Sequence, residues 1–141
     1  MYPSIPNFPG KRDLQFEDQT IFRQAFHTHP PHISEYTFTN LYVWHTTHPV
    51  QISQLDSSLL VLRFNSTMNH MIFLPPIGNT PLPTLVTSLR NYRRNSSPIT
   101  LYGLSSDQAN ALEEIGIEIV ELRDNWDYLY NVSDLISLPG E

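Results

Sequence analysis

Proline placement sets the outer limits of every regular element in this chain. Proline lacks a backbone N–H and holds φ near about −65°, so it ends helices and is kept out of central strands. The sequence has 12 prolines among its 141 residues. Pro3, Pro6 and Pro9 make residues 1–11 an extended arm, expected to lie on the surface. Pro30-Pro31, Pro49 and Pro75-Pro76 then stop one element after another, so the chain must be built from short pieces.

Leu14 and Phe16 alternate with polar neighbours and predict a short strand. Asp18 is placed to cap a helix reaching about Phe26, with Ile21, Phe22, Ala25 and Phe26 on one face. Residues 34–48 are dense in aromatics. Thr37 or Thr39 can cap a helix there that places Phe38, Leu41, Tyr42 and Trp44 on a broad apolar face. Three strands follow over 50–55, 59–64 and 71–74, with a turn at Asp56-Ser57-Ser58 between the first two. Thr80-Pro81 opens a helix with Leu82, Leu85, Val86 and Leu89 at helical spacing. Residues 99–104 read as a strand. Ser105 or Ser106 caps the next helix, which holds Ala109, Leu112 and Ile115 and ends at Gly116. Ile117, Ile119, Val120 and Leu122 predict a further strand, 125–130 an aromatic extended stretch, and 132–136 one helical turn. Paired strands first and strand–helix–strand units later define an α+β domain, with no repeat or linker to divide it.

Composition narrows the function. Apolar residues make up 40% and charged residues 16%, which suits a globular domain rather than a disordered one. A net charge of −6, with Lys11 the one lysine, argues against a bare nucleic-acid binder, because phosphate contacts need a basic face. The absence of cysteine excludes disulfides and thiolate metal sites. The first ten residues carry no apolar run, and no stretch approaches the roughly 20 apolar residues of a membrane span. The expected setting is cytoplasmic.

Candidate chemistry was sought among clustered side chains. His27, His29 and His32 fall close together, and His45 and His48 follow on the next element. A metal needs two or three imidazoles converging on one ion; Pro30-Pro31 breaks the element before His32, and Pro49 follows directly on His48, so no metal is expected. His70 has no partner near it in sequence. Arg90, Arg93 and Arg94 share one side of a helix end; they suit phosphate contact, but also the ordinary pairing of cations with C-terminal carbonyls. Glu17-Asp18 and Glu113-Glu114 are adjacent carboxylates that diverge on helix surfaces, so neither is an acid–base pair. Tyr36, Asn40 and Trp44 form one polar–aromatic edge, and Asp124, Asn125, Trp126, Asp127 and Tyr128 a second. Tyr and Trp are most often core, yet their polar tips make them common at interfaces. These two edges are the candidate cleft wall or lobe contact.

Three segments in order carry a resemblance. They are Ser34-Glu35-Tyr36-Thr37-Phe38-Thr39-Asn40-Leu41-Tyr42-Val43-Trp44, Phe73-Leu74-Pro75-Pro76-Ile77-Gly78, and Arg123-Asp124-Asn125-Trp126-Asp127-Tyr128-Leu129-Tyr130 running on to Leu138-Pro139-Gly140. With them the chain resembles, from Leu14 onward, the bacterial domain related to the C-terminal part of phosphatidylglycerol lysyltransferases. That resemblance implies two acyltransferase-like (GNAT) lobes in tandem, of which residues 12–141 form the first and the second is absent. It implies a mixed, mostly antiparallel sheet flanked by helices. The best-understood relatives move an aminoacyl group from a charged tRNA to a membrane lipid, and other members have no assigned substrate. In the family the Leu-Pro-Gly stretch continues into a basic helix, which is missing here.

A lone acetyltransferase lobe holds its cofactor pyrophosphate in a Gln/Arg-x-x-Gly-x-Gly/Ala loop opening a helix, where backbone N–H groups reach the phosphates. None of Gly10, Gly78, Gly103, Gly116 and Gly140 has Gln or Arg three positions before it. The helix opening at Leu104-Ser105-Ser106-Asp107 puts an acid where phosphates would sit. No cofactor is expected. The leading reading is a non-catalytic N-terminal lobe that completes a substrate cleft with a partner lobe. A tRNA or lipid headgroup enters only in a full-length context. A free-standing binding module, with a second copy replacing the absent lobe, is the rival. A single-lobe acetyltransferase is disfavoured by the glycines.

Overall fold

The computed structural model describes the chain apart from residues 1, 3, 32, 35, 66, 68, 93–97, 128–129 and 138–141. At its centre are five strands in the order β1-β2-β3-β4-β5: β1 (Arg12–Asp13), β2 (Val50–Leu55), β3 (Ser58–Asn65), β4 (His70–Phe73) and β5 (Ile99–Leu101). Neighbours among the first four are antiparallel, and β5 runs parallel to β4. The parallel step follows from the connection, since α3 (Leu82–Tyr92) lies between β4 and β5 and carries the chain back to start in the same direction. Helices α1 (Gln19–Thr28) and α2 (Phe38–Val43) precede β2, while α4 (Ser106–Glu113) and the short α5 (Val132–Ile136) follow β5. This is the expected α+β arrangement, a mixed and mostly antiparallel sheet flanked by helices.

β3 is the middle of the sheet, and residues 58–62 are all buried. Leu59 and Val61 join Phe22, Ala25, Phe38 and Leu41 from α1 and α2 in one core. Leu60 and Leu62 join Phe73, Leu85 and Leu89 in a second core under α3. A strand covered on both faces needs a continuous apolar run instead of alternation, which Leu59-Leu60-Val61-Leu62 supplies. Leu60→Ala should cost about 2–5 kcal/mol, because its fully buried site cannot collapse around the gap. The β2–β3 hairpin closes tightly, with Leu55 opposite Ser58 and Asp56 at φ 52°. Aspartate tolerates that left-handed conformation better than most residues.

Several expectations are corrected. The strand expected at Leu14 and Phe16 forms two residues earlier, as β1, because the chain turns at Gln15. The Gln15 N–H donates to the Asp18 carboxylate and the Asp18 N–H to the Gln15 carbonyl, winding 16–18 into a 3-10 turn. Asp18 does occupy the N-cap of α1, but its side chain makes no cap bond. It pairs with Arg12 instead, at 2.6 Å, and is buried rather than on a helix surface. The arm runs beside β2: the Phe8 N–H donates to the Gln54 carbonyl, the Gln54 N–H to Pro6, and Ile5 enters the core. Part of its backbone thus finds donors and acceptors along that strand, which draws Ile5 inward.

The strand expected over Ile117, Ile119, Val120 and Leu122 does not form. Gly116 ends the helical turn at φ 76°, as expected, but the residues after it join no ladder. Alternation supplies a strand's faces, while a strand also needs a neighbouring edge.

Candidate functional site

The edge of the sheet beyond β5 is open among the described residues. A cleft of about 1160 Å³ lies there, lined by β5, by Val86 and Leu89 of α3, by Ala109 and Leu112 of α4, and by residues 117–122 and 125–127. A smaller cleft of about 370 Å³ adjoins it, between the Pro30-Pro31 loop and the Pro75-Pro76 turn. Ile33, Gly103 and Ser105 line both.

The two polar–aromatic edges meet here in part. The Ser34 N–H donates to Asp127 Oδ2 at 2.8 Å, and Asn40 Nδ2 donates to the Ser34 carbonyl at 2.8 Å. Ser34, through its side chain first and its backbone second, holds the Asp127 carboxyl below the usual carboxylate range. Asn125, Trp126 and Asp127 line the large cleft, and Arg123 lies 5.8 Å over the Trp126 ring. Asp124 sits in the 3-10 turn Arg123–Asn125, exposed and away from the lining. Tyr36 lines the small cleft from the core, its hydroxyl donating to the Pro75 carbonyl at 2.6 Å.

Trp44 departs from expectation. Thr37 caps α2 as predicted, accepting from the Asn40 N–H, and Phe38 and Leu41 are buried. The helix ends at Val43, however, so Trp44 falls where the chain turns away, 59% exposed and on neither cleft. Arg90 lines the large cleft near the end of α3. Arg93, Arg94 and Tyr128 lie outside the described residues.

Both strand-to-helix turns at this end have some of their amides engaged. Before α3, the Ile77 N–H donates to the Leu59 carbonyl and the Thr80 N–H to Ser58 Oγ, while Pro75, Pro76, Pro81 and Pro83 have none to offer. Before α4, Ser105 Oγ accepts from the Gln108 N–H and Gln108 Oε1 accepts from the Ser105 N–H. This capping box uses donors that a phosphate at the helix end would otherwise meet, and Asp107 in the first turn adds like charge.

The histidines are dispersed. His29 bonds Asn79 at 2.9 Å, His45 stacks on Tyr42, and His27 and His48 are exposed. His32 lies outside the described residues, among which no three of His, Asp and Glu gather. His70, without a partner in sequence, meets Thr100 on β5 at 3.0 Å. Sequence reading missed Arg63, whose guanidinium lies 5.6 Å over the Tyr102 ring with a buried Nε that bonds nothing among the described residues. It also missed Ile33 and Tyr102 as cleft lining. No local pattern marks these, because Arg63 and Tyr102 meet through the β3–β4–β5 ladder and Ile33 reaches Gly103 from the loop before α2.

An α+β lobe with an open strand edge and capped helix ends is the class that fold and site define. The chain belongs to the phosphatidylglycerol lysyltransferase C-terminal family, whose model matches residues 12–141. Among solved structures it is similar to a conserved protein of unknown function from Bacteroides thetaiotaomicron VPI-5482, with a TM-score of 0.77 at 22% identity. That match covers 93% of this chain and 45% of the other, so the chain spans less than half of the structure it resembles. Curated proteins give no significant match. No helix among the described residues is long and apolar enough to cross a membrane.

Proposed function

We propose that this chain is the non-catalytic first GNAT-like lobe of an aminoacyltransferase-type protein, completing a substrate cleft with a partner lobe. The observation that carries the reading is at the two strand-to-helix turns, where the Ile77, Thr80, Ser105 and Gln108 amides are bonded within the fold and four prolines have none. A phosphate-bearing acyl donor needs free amides at such a turn. The donor is therefore held by the other lobe, and this one supplies a wall of the cleft through Asn125, Trp126 and Asp127. Arg90 is placed to meet a phosphate, from a charged tRNA or a lipid headgroup, at the rim. Lysyl transfer to phosphatidylglycerol is what the family's name describes, and aminoacyl transfer is the reaction class this reading assigns to the two lobes together. A tRNA donor sets that reaction in the cytoplasm.

Thermal unfolding of the 141-residue chain with acetyl-coenzyme A tests the reading. The midpoint should stay unchanged, whereas a lobe with its own site gains about 2.7 kcal/mol at a hundredfold excess over Kd. Coenzyme binding or acyl transfer by this chain alone sinks the proposal. The exposed apolar side chains Val132, Leu135 and Ile136 also favour a second reading, a binding module paired with its own copy. A stable dimer in light scattering would select it.

A further inference from the structure

Two stretches that line the large cleft each lack a strand partner. In the parallel β4–β5 ladder backbone groups alternate in direction, and the Tyr102 N–H donates to the Phe73 carbonyl at 2.9 Å. Thr100 therefore faces β4 as well, while Ile99 and Leu101 turn their N–H and C=O groups to the open edge. β5 is the last strand of the sheet. Residues 118–121 pair β-branched Ile119 and Val120 between two glutamates, yet none donates or accepts a backbone bond among the described residues. Both stretches line the same cleft without pairing with each other. Its floor is apolar, made by Val86, Leu89 and Leu112. At about 1160 Å³ it exceeds the roughly 300–1,000 Å³ of ordinary small-molecule pockets.

We infer that the cleft is a slot for one β-strand, inserted between β5 and residues 117–122 and supplied by the second unit of a longer polypeptide. This rests on the two-lobe reading and names where the lobes join. An inserted strand pairs with both stretches at the usual spacing of about 4.8 Å per ladder, and its alternate side chains fill the apolar floor. The occupant is assigned to a second unit because more than half of the similar structure lies outside the match, which covers 45% of it. Exposed apolar residues continue from the slot along the surface, with Val120 70% and Leu122 51% exposed. The rim is acidic, since Glu113, Glu114, Glu118, Glu121, Asp124 and Asp127 face only Arg123 over 113–127. The docking strand is accordingly apolar on one face and flanked by Lys or Arg.

Amide hydrogen exchange decides it, comparing the 141-residue chain with the longer polypeptide encoded by the same gene. The amides of Ile99, Leu101 and residues 118–121 should exchange freely in the former and slow by about 100-fold or more in the latter. Leu101→Pro in the longer polypeptide removes one outward donor and should restore fast exchange at 118–121. Val120→Glu does the same from a residue 70% exposed, which cannot disturb the core. Equal exchange in both forms overturns the inference. So does a reading frame that ends at Glu141, or a dimer of the 141-residue chain that protects these amides by itself. Aminoacyl transfer by a longer polypeptide whose slot amides stay open would remove the inserted strand and leave the two-lobe function standing.

Discussion

Arg12 and Asp18 tie β1 to the start of α1, and removing Arg12 should cost more than removing Asp18. Two bonds join them, Nη2 to Oδ1 at 2.6 Å and Nη1 to Oδ2 at 2.8 Å, and Oδ2 also accepts the Gln15 N–H at 2.8 Å. The Asp18 side chain is 4% exposed and that of Arg12 24%. Arg12→Met strands a desolvated carboxylate, and breaking such a pair costs about 3–5 kcal/mol. The Gln15 donor and the α1 helix dipole remain, the latter contributing roughly 0.3–1 kcal/mol, so about 2–3 kcal/mol is expected. Asp18→Asn leaves a guanidinium that water can reach, and should cost about 1–2 kcal/mol. The double variant should cost less than the sum, because the two single losses share one interaction.

The same pair fixes a pH dependence. Desolvation raises the Asp18 pKa, but the bonds from Arg12 and Gln15 outweigh it and the net shift is downward. Its stabilisation is then complete above the unfolded carboxyl value of about 3.9 and is lost as pH falls through the lower folded value. In Arg12→Met the desolvation is no longer outweighed, the folded pKa rises, and the deficit is largest at neutral pH and narrows under acid. Urea unfolding followed by far-UV circular dichroism measures this. Fluorescence is the poorer probe, since Trp44 and Trp126 are 59% and 49% exposed in the folded protein. A loss below about 0.5 kcal/mol for Arg12→Met, within the scatter of ordinary surface changes, or a deficit that does not vary with pH, refutes the reasoning.

Gly78→Ala should destabilise by about 2–3 kcal/mol in urea titrations, combining overpacking with strain. The new Cβ would press on Ser58 Oγ and lie 2.8 Å from Ser58 Cα, at a backbone φ of +144°. Tyr36→Phe leaves the buried Pro75 carbonyl without its donor and should cost about 1–2 kcal/mol, read as a lower thermal midpoint. Asp127, held below the usual carboxylate range by Ser34, keeps its tie at neutral pH and loses it as pH falls through that lowered value. Amides over 123–127 should therefore exchange faster in acid than intrinsic rates alone dictate, and Asp127→Asn should show the faster exchange already at pH 7.

The recognised segments owe part of their character to the fold. In Phe73-Leu74-Pro75-Pro76-Ile77-Gly78, Ile77 exchanges both backbone bonds with Leu59 and Gly78 presses on Ser58. This turn is scaffold, and its prolines remove amides that a phosphate would need. The third segment is different: Asn125, Trp126 and Asp127 reach the cleft, so that stretch carries the family resemblance and the candidate surface together.

Local chemistry was readable from the residues in order. A cap at Thr37 or Thr39, another at Ser105 or Ser106, Gly116 as a left-handed stop, the turn at 56–58 and the apolar run of β3 all depend on neighbours a few positions apart, so the sequence determined them; the fold then chose Thr37 and Ser105. Whatever depends on distant partners was settled by tertiary structure. Asp18 turned from cap to ion-pair partner because folding brought Arg12 within reach, and His70 found Thr100 across the parallel ladder. The β-branched and apolar residues over 117–122 could suggest a strand, but not whether an edge stood beside it. Backbone pairing is a property of two segments, and the second is not written in the first.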